Sequence, residues 1–466
     1  MTANDQWLFL AVCLYLLISG ATLLYAIRVK KSGILDPIIQ FVVFLTLFVV
    51  PLPVRVLMTK AIEGDITEHL PQLLPYMPVA VLMTALSLPF FVWGYYSRYT
   101  KRLATRLPRP RTGSHLRMPV AVLVFFSLYL LVQLARNSDG LLSFILLGYG
   151  ASSEMFGKGY LAVGFPWLFI SSLFLLCRYA ARRRKIDLIL FSLYFAVLTA
   201  MFLVLGSRGM IVYMALTVVL FWHYTVRALS FKKILILCAG SFIALNIVGY
   251  LRASNYQSLS DIWEKSASAY EKTDSESGRT FYTLTTGEFV VPFETFPQMI
   301  RSVGTDINPQ LGLTYLKDAM LWIPSVVFPD RPPPLSHWYM ETFYEHDTEL
   351  NIGRSFFFLS EGYLNFGPIG VFATMFVWGL FLGTIHSYIQ YSRGELVALM
   401  LAALTIAFIF RGIAGDFSSI FVGLPEQSLS AAVIGIWISN LGQRKAGSVG
   451  RRKLRMPVAN EGGSSA

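Results

Sequence analysis

The stretch GRSFFFLSEGYLNFGPIGVF, from Gly353 to Phe372, decides how this chain is read. It is as apolar as a membrane span, yet it contains Arg354 and Glu361. Ionisable groups in hydrocarbon cost free energy unless they are paired or put to use. On a helix the two would lie two turns apart and share a face. Pro368 then disfavours helix at the residue before it. The pattern predicts a short element at the bilayer edge carrying Arg354 and Glu361, followed by a separate span that starts after Pro368.

The rest of the chain supports a membrane setting. Of 466 residues, 55% are hydrophobic and only 14% charged, with a mean hydropathy of +0.56; a soluble domain is about one quarter charged. Apolar runs of helix-spanning length recur from end to end. They predict about eleven spans, at 7–27, 38–58, 76–96, 118–135, 160–178, 186–205, 210–226, 234–250, 367–390, 396–410 and 425–441. Pro51, Pro53, Pro78 and Pro89 are expected to kink the second and third. The first run, Trp7 to Ile27, has no basic segment before it and no small-residue cleavage site after it, so it is expected to be a retained span. Cys13, Cys177 and Cys238 all fall in apolar runs without metal-site or disulfide spacing and are expected to face lipid or core.

The net charge of +12 is unevenly placed. One set of loops holds Arg28, Lys30 and Lys31, the run Arg98 to Arg117, Arg182 to Lys185, Arg227 to Lys233, Arg393, and the tail from Arg444 to Arg455. The short loops of the other set hold only Lys60, Arg136, Lys158, Arg208 and Arg411. The positive-inside rule puts the first set in the cytoplasm, with the N-terminus outside and the C-terminus inside. The basic loops are then orientation signals, not nucleic-acid sites.

The expected fold is an all-α polytopic membrane protein with one large extracytoplasmic loop of short helices. It divides into an N-terminal bundle of about eight spans (1–250), the large loop (251–361), a C-terminal bundle of about three spans (362–441) and a basic cytoplasmic tail expected to be disordered (442–466). A loop this long carries function more often than not. Within it, LGLTYLKDAMLWIPSVVF (Leu311 to Phe328) is apolar enough to lie in the interface, but Lys317 and Asp318 argue against a full span. FPDRPPP forces an extended turn. The chain has no nucleotide-binding glycine loop and no Cys/His cluster with metal spacing, which argues against an ATP-driven pump or a zinc enzyme.

With this topology four arginines mark the outer mouth of the bundle: Arg208 in LGSRGM, Arg252 in VGYLRAS, Arg354, and Arg411 in FRGIAGDF beside Asp416. A guanidinium presents a planar fork to phosphate oxygens, and flanking Gly206, Gly209 and Gly412 allow close backbone approach. The plainer reading is that each snorkels to lipid phosphates or pairs with an acid. Glu361 is a candidate general base for a hydroxyl; its plainer reading is a structural partner of Arg354. His337 and Glu341, four apart in SHWYMETFYEH, are further acid–base candidates. Glu288 in TGEFVVPFETF is a candidate glycan contact.

The motifs GSRG (206–209), GEFVVPFETF (287–296), IPSVVFPDRPPP (323–334) and GRSFFFLSEGYLNFGPIG (353–370) together resemble those of the Wzy-type O-antigen or oligosaccharide repeat-unit polymerases. The layout is similar over most of the chain. The resemblance implies a multi-pass glycosyltransferase of the bacterial inner membrane. It would transfer a growing glycan from undecaprenyl pyrophosphate to the terminal hydroxyl of a new lipid-linked repeat unit. Its partners would be that lipid-linked oligosaccharide, the lipid bilayer and a polysaccharide chain-length regulator; no nucleotide, metal or other cofactor is expected, and no nucleic acid. Arg208, Arg354 and Arg411, with Arg252, would hold pyrophosphate; Glu361, with His337 and Glu341 behind it, would act on the acceptor hydroxyl. The competing readings are an O-antigen ligase, which passes glycan to lipid A core, and a flippase for lipid-linked sugars. A flippase predicts charges lining the middle of the spans, whereas here they gather at one face.

Overall fold

The computed structural model describes residues 3–59, 70–110, 116–137, 140, 159–205, 207–236, 291–321, 323, 328, 332–344 and 354–445. Among them the chain is helical, with one isolated bridge between Val303 and Ile307 and no strand. Among the described residues nine helices are long and apolar enough to cross a membrane. They are α1 (Ala3–Val29), α2 (Pro37–Met58), α3 (Met77–Tyr95), α5 (Arg117–Asn137), α6 (Gly164–Arg182), α7 (Lys185–Val204), α12 (Phe358–Tyr391), α13 (Leu396–Ile413) and α14 (Ser419–Asn440). A shorter apolar helix, α8 (Arg208–Thr225), stands among them. Between the spans lie α4 (Arg98–Arg106), α9 (Val291–Ser302), α10 (Leu313–Met320) and α11 (Leu335–Phe343). The span expected at 234–250 falls largely outside the described residues.

The prolines act unequally. α2 is interrupted at Val50, where Pro51 opens a second helical segment. Pro78 occupies the first turn of α3, where its missing N–H costs nothing. Pro89, expected to kink α3, lies inside a helix that continues unbroken. α14 starts before the expected 425 with two π-helical turns, Ser419–Gly423 and Pro425–Leu429.

Glycine sets the tightest helix contact. α3 and α12 run parallel, and a Cβ on Gly379 would lie 2.1 Å from Phe91 O, one on Gly383 2.3 Å from Tyr95 O, and one on Gly94 2.2 Å from Phe376 O. Gly379 and Gly383 form a small-xxx-small pair, which lets membrane helices approach to backbone contact where no hydrophobic driving force exists between them. The end of α12 is fastened to the segment that follows α4: Tyr388 OH donates to Pro108 O at 2.8 Å, and Arg109 covers the Tyr391 ring. α5 packs on α6, α6 on α7, and α8 on α13, which is the most enclosed span. Arg178 and Asp187, 2.8 Å apart, clasp the turn between α6 and α7. Cys177 is buried against Met400, and Cys13 is exposed on the apolar α1.

α12 carries the expected break. Its backbone leaves helical geometry at Phe366 (φ −134°, ψ 16°) and Gly367 (φ 61°, ψ −146°). The positive φ at Gly367 is a conformation that only glycine adopts cheaply, and Pro368 then opens the second segment. The break folds the chain back on itself. A Cβ on Gly370 would lie 1.9 Å from Gly362 O, and one on Gly362 would lie 2.5 Å from Thr374 Oγ1. Residues 358–365 therefore form a short helix lying against the head of the span at 368–391.

Candidate functional site

The short helix is tied down at both ends. At its start, Phe357 N–H donates to Thr295 Oγ1 (3.1 Å), and the Thr295 and Ser360 hydroxyls bond to each other at 2.8 Å, which anchors it to α9. At its end, Gln310 N–H donates to Leu364 O and Leu311 N–H to Asn365 O, at 3.0 and 3.1 Å. These donors satisfy carbonyls that a helix terminus leaves orphaned. The strap turns through two left-handed residues, Leu311 (φ 48°) and Gly312 (φ 93°), into α10. Asn365 locks the junction. Its Oδ1 accepts from Gly312 N at 2.8 Å, and its Nδ2 donates to Thr314 Oγ1 at 2.6 Å and Glu361 O at 2.9 Å.

Glu361 is buried at the centre of this frame. Thr314 Oγ1 donates to its Oε1 at 2.7 Å, and Phe417 N–H donates to its Oε2 at 2.6 Å. The carboxylate thereby joins α10, the short helix and the turn between α13 and α14. Two more buried acids stand beside it. Asp318, one turn beyond Thr314 on the same face of α10, has an oxygen, Oδ2, that is enclosed without a hydrogen-bond partner among the described residues. Asp416 is the best satisfied of the three. It accepts from Leu335 N (3.1 Å), Ser418 Oγ (2.6 Å), Ser419 N (3.1 Å) and Ser419 Oγ (3.0 Å).

Like charges this close, in a poorly solvated place, do not all ionise. Burial, reinforced by the Asp416 carboxylate, pushes the Asp318 pKa up to about 7. At neutral pH Asp318 is therefore close to its own midpoint, and its proton is shared with the acids beside it. His337 lies near Asp416 and Glu341, but burial pushes its pKa below the ordinary histidine value, so it does not bring a compensating cation. Among the described residues no group of three or more His, Cys, Asp or Glu side chains is placed to hold a metal ion.

Arg354 takes a different partner from the one its sequence neighbourhood offers. Its Nη2 lies 2.8 Å from Glu294 Oε2, its guanidinium covers the Tyr344 ring at 4.2 Å, and Tyr344 OH donates to Glu294 Oε1. Burial opposes the Arg354 charge, yet Glu294 and the two tyrosines Tyr344 and Tyr339 outweigh it and hold its pKa above the ordinary value. Glu361 and Arg354 are therefore not each other's partner: the acid joins Asp318 and Asp416, and the cation joins α9.

Arg411 is held by neutral groups. Its Nη1 donates to Gln427 Oε1 and lies 3.2 Å from Met210 Sδ, and its guanidinium covers the Phe408 ring at 5.1 Å. No carboxylate pairs with it among the described residues. Met210 follows Arg208 by two positions, so the start of α8, where Arg208 stands, abuts Arg411. His337 and Glu341 share α11 as expected, Glu341 exposed and His337 half-buried. Arg252 and Glu288 lie outside the described residues.

The structure thus bonds Glu361 to Phe417 in the turn that follows α13, sets the start of α8 against Arg411 through Met210, and sets Arg354 apart in its own ion pair. Sequence reasoning did not select Asp318, Glu294 or Gln427, and it noted Asp416 only as a neighbour of Arg411. The available signal for Asp318 was its spacing from Thr314 in an otherwise apolar helix. Comparison with protein-family models, with curated proteins and with solved structures found no match to this chain.

Proposed function

We propose that this multi-pass membrane protein is an oligosaccharide repeat-unit polymerase acting on undecaprenyl-pyrophosphate-linked glycans at the outer face of the bacterial inner membrane. The observation that carries this reading is the buried Glu361 on a short helix folded back against the head of a span, bonded at Phe417 to the turn that follows the Arg411-bearing end of α13. The basic loops at the far end support an extracytoplasmic position for this site. Arg411, without an acid partner among the described residues, suits an anion brought by the substrate. Arg208, by its position in the sequence at the start of α8, is a second candidate cation. Arg354, already satisfied by Glu294, shapes the site instead of binding pyrophosphate.

In this reading the acceptor hydroxyl gives its proton to the acid cluster and its oxygen bonds to the anomeric carbon of the donor sugar. The bond from that carbon to the pyrophosphate oxygen breaks, and undecaprenyl pyrophosphate leaves with the electron pair. Fixed cations stabilise the charge that develops on it. The test is the glycan profile of a strain lacking the gene. Loss of the length ladder, with single repeat units still on the surface lipid, supports polymerisation; loss of all attachment identifies a ligase. Arg411→Ala and Glu361→Gln, expressed at normal levels, are expected to lose the ladder; a full ladder from both overturns the site assignment.

A further inference from the structure

α10 has two faces. Thr314 and Asp318 point inward to Glu361, while Leu313, Leu316 and Met320 recur on the exposed side. Leu316 is 57% exposed, and Leu311 in the strap before it is 75% exposed. This surface continues into its neighbours. A Cβ on Gly312 would touch the Phe366 ring at 3.4 Å, and the exposed Phe366 is followed by Ile369, 77% exposed at the head of the 368–391 span. On the other side the Tyr315 ring contacts Phe417 at 5.4 Å, and Phe417 stacks on Phe421 in α14 at 5.0 Å. The exposed apolar surface therefore runs without interruption from α10 onto two membrane helices, whose exposed faces carry on through Val377 on one and Val433 and Trp437 on the other.

We infer that α10 and the strap before it form a shelf inserted into the bilayer, with phospholipid acyl chains covering its leucine face. Continuity selects this occupant, because a surface merging with the lipid-facing sides of two spans meets the same solvent that they meet. An apolar patch exposed to water costs free energy in proportion to its area, and an interfacial helix removes that cost by lying in the acyl boundary. Lys317, exposed beside Leu316, has the reach to set its ammonium among the headgroup phosphates while its stem stays in the apolar layer. The shelf also places lipid one helix thickness from Glu361, so a lipid-linked substrate reaches the acid cluster sideways from the bilayer. That last consequence rests on the proposed function; the shelf itself does not.

The experiment uses the full chain, with Cys13, Cys177 and Cys238 replaced, reconstituted in vesicles of phosphatidylethanolamine and phosphatidylglycerol. A nitroxide is attached at Leu316→Cys, with Val433→Cys as the lipid-facing reference and Asn308→Cys as the aqueous one. The expected result is that the Leu316 label relaxes with oxygen and is shielded from a water-soluble nickel chelate, with an accessibility ratio several-fold above that at Asn308 and close to that at Val433. A ratio equal to that at Asn308 overturns the inference. Spin–spin broadening between labels on two chains also overturns it, because a second copy then covers the face. None of these readouts depends on polymerisation. A strain that keeps its glycan ladder without the gene refutes the proposed function and leaves the shelf standing; an aqueous Leu316 label does the reverse.

Discussion

Replacing Asp318 with asparagine removes an acid of raised pKa from the buried cluster while keeping its shape. The magnitude follows from its pKa, raised from 3.8 to about 7 by burial and by Asp416. Between those values the folded chain holds a proton that the unfolded chain has released. Stability therefore falls as pH rises. The contribution is whole below about pH 4 and gone above about pH 7, and each unit removes about 1.4 kcal/mol. Over roughly three units the loss is about 4 kcal/mol. The other groups facing Asp318 are Glu361, Asp416 and, through Asp416, His337, and they remain in the variant. The difference between the two proteins therefore reports Asp318 together with its interaction with Glu361. Detergent unfolding of purified protein in mixed micelles, followed from about pH 5 to about pH 8, is expected to show a falling stability in the wild type. In Asp318→Asn that slope should be smaller, and the variant should be at least as stable as the wild type at the alkaline end. If both proteins lose stability equally with pH, the raised pKa of Asp318 is refuted.

Glu294→Gln should destabilise the same micellar protein by about 3–5 kcal/mol, since it leaves the buried Arg354 without its countercharge. The double variant Glu294→Gln with Arg354→Met should recover most of that loss, and failure to recover would mean that the acid acts through something other than the arginine. Gly379→Val places a side chain where the backbone of Phe91 already lies, so folded protein in size-exclusion profiles should fall sharply, while Gly209→Ala, which meets open space, should leave the profile unchanged. Asn365→Ala removes three hydrogen bonds, to the strap at Gly312, to Thr314 in α10 and to Glu361 O in the short helix, and limited proteolysis near 310–312 should accelerate about fivefold or more, from a loss of roughly 1–3 kcal/mol.

The fold was legible wherever the physics is local. Run length and apolar density place the described spans to within a few residues, because a bilayer of fixed thickness demands about twenty apolar residues from each helix. The break before Pro368 was legible for the same reason, since proline and glycine act on their own backbone. The parallel packing of α3 on α12 was not read, although Gly379 and Gly383 stand four apart in plain view. The partner glycine, Gly94, comes from a distant part of the chain, and nothing local assigns it.

The site was half legible, and the failure has a physical cause. Arg354 and Glu361 share a neighbourhood in sequence, and two turns of helix would bring them together. The chain from Arg354 to Phe357 is not helical, so that register is lost before the short helix begins. Arg354, released from the helix face, turns to Glu294 on α9, which presents an acid already held by Tyr344. Glu361, inside the helix, meets whatever packs on that helix, and the strap at 310–312 delivers α10 with Thr314 and Asp318. The exchange of partners has a chemical consequence. A glutamate paired with arginine is held ionised and becomes a poor proton acceptor, whereas one pressed against other acids raises the proton affinity of the cluster. The backbone turn that defeats the sequence reading of the pair is thus what leaves this end of the bundle able to hold and exchange a proton.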